Sequence, residues 1–223
     1  MSWWQRLWHK RSTPLLPERL RLVNLAMDGW TEETPTGEMR TWRNSDGNVL
    51  CLATAGGSLE LPPVSDIDGL RRWCRALAES GDAGLIDMKL DSADIGGTVG
   101  FIYKRLQGHA YVFTGMLFVA GDDETLTWTV VSGEVGMTGV REAVITAQLM
   151  EAGQLTIEDY QRSWAQDPYD PPCHRVERRV LRFVSDDQRF DPQFPHHPLS
   201  KVRHVLATLP RAMRIEVDAR PSD

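Results

Sequence analysis

The stretch "VVSGEVGMTGVREA" places Gly133, Gly136 and Gly139 between an apolar strand-like run and the start of a helical one. Such a loop can cradle a phosphate, because the free N–H groups of a helix N-terminus and its dipole both face an anion. These three glycines are therefore the candidate cofactor-binding positions. The Lys-Ser/Thr of a P-loop is missing, and a dinucleotide fingerprint needs G-x-G-x-x-G inside a parallel βαβ unit. Glu134 and Glu142 would also repel an anion, so a turn with close helix packing is the preferred reading.

Other chemistry-bearing residues are scattered. Cys173-His174, His196-His197 and His204 lie in the last third of the chain. Adjacent residues rarely ligate one metal, and none shows the i, i+4 helical spacing of a zinc protease. No metal or other cofactor is expected. Cys51, Cys74 and Cys173 are far apart and lack C-x-x-C spacing, so neither a disulfide framework nor a zinc site is indicated, and the thiols read as reduced and intracellular. No G-x-S-x-G elbow occurs. Asp122-Asp123, Asp186-Asp187, Asp167 and Asp170 fall in predicted turns, where Asp has a local hydrogen-bonding reason to be. No catalytic residue is assigned, and a protein without enzymatic activity is favoured over a hydrolase or transferase working from the 133–139 loop.

Two aromatic stretches are candidates for partner binding. Coiled as a helix, "MSWWQRLWHKR" puts Trp4, Leu7 and Trp8 on one face with Trp3 on its flank, while Arg6, Lys10 and Arg11 line the polar side. At about 150–250 Å² each, three exposed tryptophans present about 450–750 Å². A soluble monomer's largest apolar patch is about 300–600 Å², so a covering surface is expected. It could be a partner protein, the chain's own body or, through residues 1–11, a membrane surface. In "RSWAQDPYDPP", Trp164 and Tyr169 would make a second contact if exposed. The competing reading has Trp164 completing an apolar face with Ile157 and Tyr160.

Composition narrows the function classes. The 223 residues are 41% hydrophobic and 25% charged, with a net charge of -6, ordinary for a soluble globular protein. An acidic chain argues against nucleic acid, whose phosphates demand a basic stripe. The one candidate stripe, "RVERRVLR", is broken by Glu177 and followed by Asp186-Asp187, and so reads as solvated mixed charge. No apolar run approaches about 18 residues, and the N-terminus lacks a signal peptide's apolar core, so a cytoplasmic location is expected.

The elements follow from periodicity. "STPLLP" reads as a linker, and "RLRLVNLAMDGWTEE" as strand with a turn at Gly29. Asp46-Gly47 predicts a hairpin with strands near 38–44 and 48–54. In "SDIDGLRRWCRALAESG" a helix is capped by Ser65 with Asp68 and stopped at Gly81. It points Ile67, Leu70, Cys74 or Trp73, and Leu77 inward and leaves Arg71, Arg72, Arg75 and Glu79 mostly to solvent. Four strand-like runs from "GLIDMKLDS" to "ETLTWTVVSG" form an antiparallel meander, whose third member is apolar on both alternate sets. A second helix carries Val140, Val144 and Ala147 inward with Ile145 and Leu149 on the flank, and a third is capped by Thr156 with Asp159. "RRVLRFV" reads as a strand, and Leu199, Val202, Leu206 and Leu209 as one face of a final helix with Pro198 at its first position.

The order is that of an α+β domain with helices packed on an antiparallel sheet of about six to seven strands. The expected divisions are an N-terminal segment and linker at 1–17, the α+β core at 18–153 and a C-terminal strand-helix extension at 154–223. Through "MDGWTEE", "DIDGLRRWCRAL", "IGGTVGFIYKRL" and "SGEVG…REAVITAQL", residues 22–150 resemble the Mog1/PsbP-like superfamily. That resemblance implies a binding module, since its members include partners of small GTPases, photosystem subunits and chaperone-like adaptors for secreted effectors. The resulting expectation is a noncatalytic protein-interaction module or adaptor, partner unspecified.

Overall fold

The computed structural model describes residues 20, 23–35, 39–55, 61–91, 98–120, 125–170 and 181–215. Its first strands are short, β1 (Val23–Leu25) and β2 (Trp30–Glu32). The Asp46-Gly47 hairpin joins β3 (Met39–Asn44) to β4 (Val49–Ala55). Gly47 takes a φ of 76°, and the Asn44 side chain accepts from the N–H groups of Asp46 and Asn48. After α1 (Ile67–Glu79) come β5 (Gly84–Asp91), β6 (Thr98–Gln107), β7 (Ala110–Ala120) and β8 (Thr125–Gly133). Two helices follow, α2 (Val140–Glu151) and α3 (Ile157–Ser163). The remainder holds β9 (Ala165–Gln166), β10 (Arg182–Phe183), 3-10 turns at Val184–Asp186 and Gln188–Gln193, α4 (Pro198–Ala212) and β11 (Met213–Ile215).

Seven strands make one antiparallel sheet in the order β2-β3-β4-β8-β7-β6-β5. As the alternation in β7 requires, Phe113, Leu117 and Val119 face one side and Met116 and Phe118 the other, all buried. On the first side, Leu199, Val202, Val205 and Leu209 of α4 meet Leu50, Phe113, Trp128 and Val130 in the largest core. On the second, Leu70, Cys74 and Ala78 of α1 cover Val99, Phe101, Tyr103 and Phe118. A third cluster gathers Ile145, Leu149, Trp164, Phe183 and Phe190. β1 stands apart from the large sheet and pairs with β11, Val23 opposite Ile215.

Several local expectations shift. α1 is capped by Asp66, one residue after Ser65, because its carboxylate reaches the Gly69 N–H at 2.8 Å. Ile67 is consequently exposed. α2 turns the other way about its axis, burying Arg141, Ile145 and Leu149 and exposing Val140, Val144 and Ala147. The Arg141 guanidinium finds its partners inside, and this outweighs burial of two valines. α3 has the expected capping box between Thr156 and Asp159, yet Ile157 and Tyr160 remain exposed and only Trp164, its C-terminal cap, is buried. Pro198 opens α4 as expected, with His197 as the cap.

α4 approaches the sheet at Gly115. A Cβ there would lie 2.7 Å from Val202 Cγ1 and 2.8 Å from a Leu206 methyl. We expect Gly115→Ala to cost about 1–3 kcal/mol, the usual range for overpacking. Urea denaturation checks this, and an unchanged midpoint would show that α4 can shift freely.

Candidate functional site: a buried charge hub beneath an exposed helix face

Three cations from three elements converge on the 3-10 turns. Lys104 of β6 donates from Nζ to Asp186 Oδ2 at 2.6 Å, with both side chains fully buried. The same Nζ lies 3.1 Å from the centre of the Phe183 ring and 5.0 Å from that of Tyr111. Arg141 of α2 donates to the Ser185 carbonyl (2.8 Å), Ser200 Oγ (3.0 Å), the Asp187 carbonyl (3.0 Å) and Asp191 Oδ1 (2.9 Å). Arg203 of α4 grips both Asp191 oxygens, at 2.9 and 3.2 Å, and donates to the Asp186 carbonyl at 2.5 Å. Burial pushes the Lys104 ammonium below its ordinary pKa, against the pull of Asp186. Asp186, expected on a solvated surface, is instead completely enclosed; Lys104 and the Phe183 N–H both bond its Oδ2, while Oδ1 is buried without a hydrogen-bond partner.

The glycine loop lies against this hub. Gly133 pairs with Val112 in the sheet, Gly136 takes a φ of 80° in open space, and Gly139 caps α2 with a φ of 73°. Glu134 Oε1 accepts from the Gly139 N–H at 3.0 Å, and Oε2 from the Tyr111 N–H at 2.9 Å. One carboxylate thus joins the β6–β7 hairpin to the α2 N-terminus, where it faces the positive end of the dipole. Burial tends to raise the pKa of Glu134, but His197 and the two backbone donors prevail and lower it.

Glu134, Glu142 and His197 present ligand atoms within 4.8 Å of one another, as a divalent cation would require. The imidazole argues for a different use. Its Nδ1 accepts from the Leu199 N–H at 3.2 Å, which leaves the neutral ring's proton on Nε2, 3.7 Å from Glu134 Oε1. A ring so held offers the cluster a proton rather than a lone pair. Both Glu142 carboxylate oxygens are buried without a hydrogen-bond partner. Burial raises this carboxyl's pKa, and Asp186 acts in the same direction. Of the cysteines, Cys51 and Cys74 are buried, and burial pushes the Cys74 thiol up to about 12, which leaves it without thiolate at neutral pH.

The aromatic candidates are distributed differently. Trp3, Trp4, Leu7 and Trp8 lie outside the described residues, as do Cys173 and His174. Trp164 is buried, stacked on Phe183 and in tilted contact with Tyr160. Tyr169 is half-buried, its hydroxyl accepting from the Met88 N–H at 2.9 Å and its ring lying 4.6 Å from the Arg71 guanidinium. Arg75, expected in solvent, clamps Asp167 through two bonds of 2.8 and 2.9 Å. These contacts fasten the 167–170 turn to α1 and β5. The most exposed apolar side chains lie elsewhere: Val135 at 91% and Met137 at 83% in the loop before α2 and Ile157 at 70% on α3, with Val140 and Val144 less exposed along the outer face of α2. That face and the hub were both missed from sequence. The available signal was the i, i+4, i+8 series Arg141, Ile145, Leu149, which placed an arginine on the apolar stripe.

No protein-family model matches the chain, and no curated protein does. Among solved structures it is similar to a point mutant of protein Mog1, with 9% identity over 92% of this chain and 96% of that one, at a TM-score of 0.44. It is similar also to the Saccharomyces cerevisiae Ran-binding protein Mog1p, with 10% identity over 90% and 93% and a TM-score of 0.43. The resemblance is one of fold alone. It transfers no residue and no partner to this chain. Among the described residues, no helix is long and apolar enough to cross a membrane.

Removing one member of a buried pair strands the other. Lys104→Met is expected to cost about 3–5 kcal/mol in chemical denaturation, and adding Asp186→Asn to restore part of it; a strictly additive double variant would refute the coupling. Glu142 gives a pH-dependent test. Its folded pKa is raised, so the folded state holds the proton more tightly than the unfolded chain, whose Glu titrates near about 4.3. Stability from the neutral acid is complete below that value and is lost as pH rises through the folded pKa. Glu142→Gln should therefore melt higher than the parent at pH 7, and the gain should vanish by about pH 4. A gain independent of pH would count against the raised pKa.

Proposed function

We propose that this chain is a noncatalytic protein-interaction module whose contact surface is the outer face of α2 and the loop leading into it. The observation carrying this reading is that Val140 and Val144 are apolar and exposed on a helix whose inner face is anchored by Arg141, with Val135 and Met137 exposed in the loop that leads into it. Exposed apolar side chains grouped on one rigid face mark contact sites more often than scattered ones do. Methionine suits such a surface because its unbranched side chain adapts to the facing shape. The hub supports the same reading. Lys104, Arg141 and Arg203 are enclosed and bonded to Asp186, Asp191 and the carbonyls beside them, so their chemistry is that of a clamp. The tryptophans at Trp3, Trp4 and Trp8, with Leu7, are a second proposed contact, and a cytoplasmic location belongs to the same proposal.

The test is quantitative affinity capture from native extract with the full chain and with Met137→Asp/Val144→Asp. We expect one stoichiometric protein on the parent and at least an about tenfold loss on the double variant, as for contacts worth about 1.4 kcal/mol or more. Both proteins should melt alike, since both positions are exposed. Equal recovery by the two, or no stoichiometric protein on either, overturns the proposal. A third arm lacking residues 1–11 reports separately on the tryptophans.

A further inference from the structure

A cavity of about 250 Å³ opens between α4 and the β5–β6 side of the sheet. Gly100 of β6 leaves its floor bare, and a Cβ there would stay 3.6 Å from its nearest neighbour, Leu117 Cδ1. Leu117, Leu206 and Pro210 form apolar walls, while exposed Lys89 and Ala207 stand where the cavity meets solvent. Arg203 closes one end, its terminal nitrogens spent on Asp191 and the Asp186 carbonyl. The Asp87 carboxylate also lines the space and offers an acceptor. At about 30 Å³ for each water-sized group, the volume holds about eight non-hydrogen atoms, close to the size of an indole ring.

The place where the chain enters the fold is fixed and near. Leu20 is fully buried in the largest core, and Arg40 donates to its carbonyl at 2.9 Å and to that of Val23. Arg40 and Gly100 lie on one row of the sheet, through the pairs Arg40–Leu52, Leu52–Trp128, Trp128–Leu117 and Leu117–Gly100. At about 4.8 Å for each strand spacing, they are about 19 Å apart. A path over α4, itself about 10–12 Å across, lengthens this to about 30 Å. Residues 9–19, which separate Trp8 from Leu20, span up to about 36–40 Å when extended. The outer face of α2 belongs to the other end of α4: Arg141 bonds Ser200 in the first turn of α4, whereas the Ala26 N–H just after β1 donates to the Ala212 carbonyl in its last. Those two ends are about 18 Å apart.

We propose that this cavity is the seat of Trp8 of the same chain. The indole lies over Gly100 between Leu117 and Leu206, with its N–H toward Asp87. Trp8 takes the seat ahead of Trp3 and Trp4 because a tether that just spans a distance gives a higher effective concentration than a longer one. Seating it covers about a third of the apolar area that the three tryptophans would otherwise present to water. Trp3 and Trp4 stay outside the cavity, available for the contact proposed above.

The full chain labelled with 5-fluorotryptophan is measured by fluorine NMR with a paramagnetic cosolute, and the Trp8 and Trp3 signals are assigned by their loss in Trp8→Phe and Trp3→Phe. Trp8 is expected to be at least about fivefold less accessible to the cosolute than Trp3, independently of protein concentration. In amide-detected spectra, Trp8→Ala should shift the signals of Gly100 and Leu117. Gly100→Leu fills the floor and Ala207→Asp puts a charge at the opening, so each should raise the accessibility of Trp8 to that of Trp3. Ala207 is exposed, which keeps the proposal open to refutation even if Gly100→Leu misfolds. Equal accessibility of Trp8 and Trp3 in the parent overturns it. So does protection lost on dilution, which assigns the seat to a second copy, or protection unchanged in Ala207→Asp. Amide shifts at Val140 and Val144 in place of Gly100 and Leu117 overturn it as well.

Discussion

Asp191 and Asp186 fix how the elements of this structure are placed against one another. They sit on consecutive 3-10 turns, and three cations from otherwise separate elements end on them or on the carbonyls beside them. Such an arrangement is demanding, because each charge has left water and recovers that loss only if its geometry is met. Lys104 fixes the hub to β6, next to the edge strand β5, Arg141 fixes α2 and Arg203 fixes α4. Few other placements of these elements would satisfy all three cations together. The hub thus chooses between arrangements that the apolar cores alone would tolerate.

Its influence reaches the surface. α2 carries enough apolar residues to be buried by either side, and its valines would suit a core. Arg141 decides the rotation, because a guanidinium with four satisfied bonds inside outweighs two valines left in water. The apolar outer face is the complement of that choice. Glu134 adds a second restraint by bonding both the hairpin at Tyr111 and the first turn of α2, so the helix begins at a fixed place as well as a fixed angle.

The strands were legible because their signal is local. Asp46-Gly47 dictates a hairpin wherever it lies between alternating arms, and the double-sided apolar pattern of β7 has one good solution. Helix faces were less legible. The stripe read on α2 ran through Val140 and Val144, and nothing near them in sequence announces that residues 44 to 59 positions downstream would draw Arg141 inward. The hub was hidden for the same reason. Lys104 reads as an ordinary charge in a strand, and Asp186 as an ordinary turn residue, until the fold brings them to 2.6 Å. Long-range partnership between charges leaves no periodicity. Only the conflict of an arginine on an apolar stripe hinted at it.

The pairing of β1 with β11 joins Val23 to Ile215, and α4, immediately before β11, lays Leu199, Val202, Val205 and Leu209 onto the largest core. During synthesis the strands leave the ribosome long before the helix that covers them. Leu50, Phe113, Trp128 and Val130 then form a bare apolar sheet face with no covering element yet made, and the fold can close only after residue 215 has emerged. Until α4 arrives, that uncovered face is the kind of transiently exposed apolar surface through which folding intermediates aggregate.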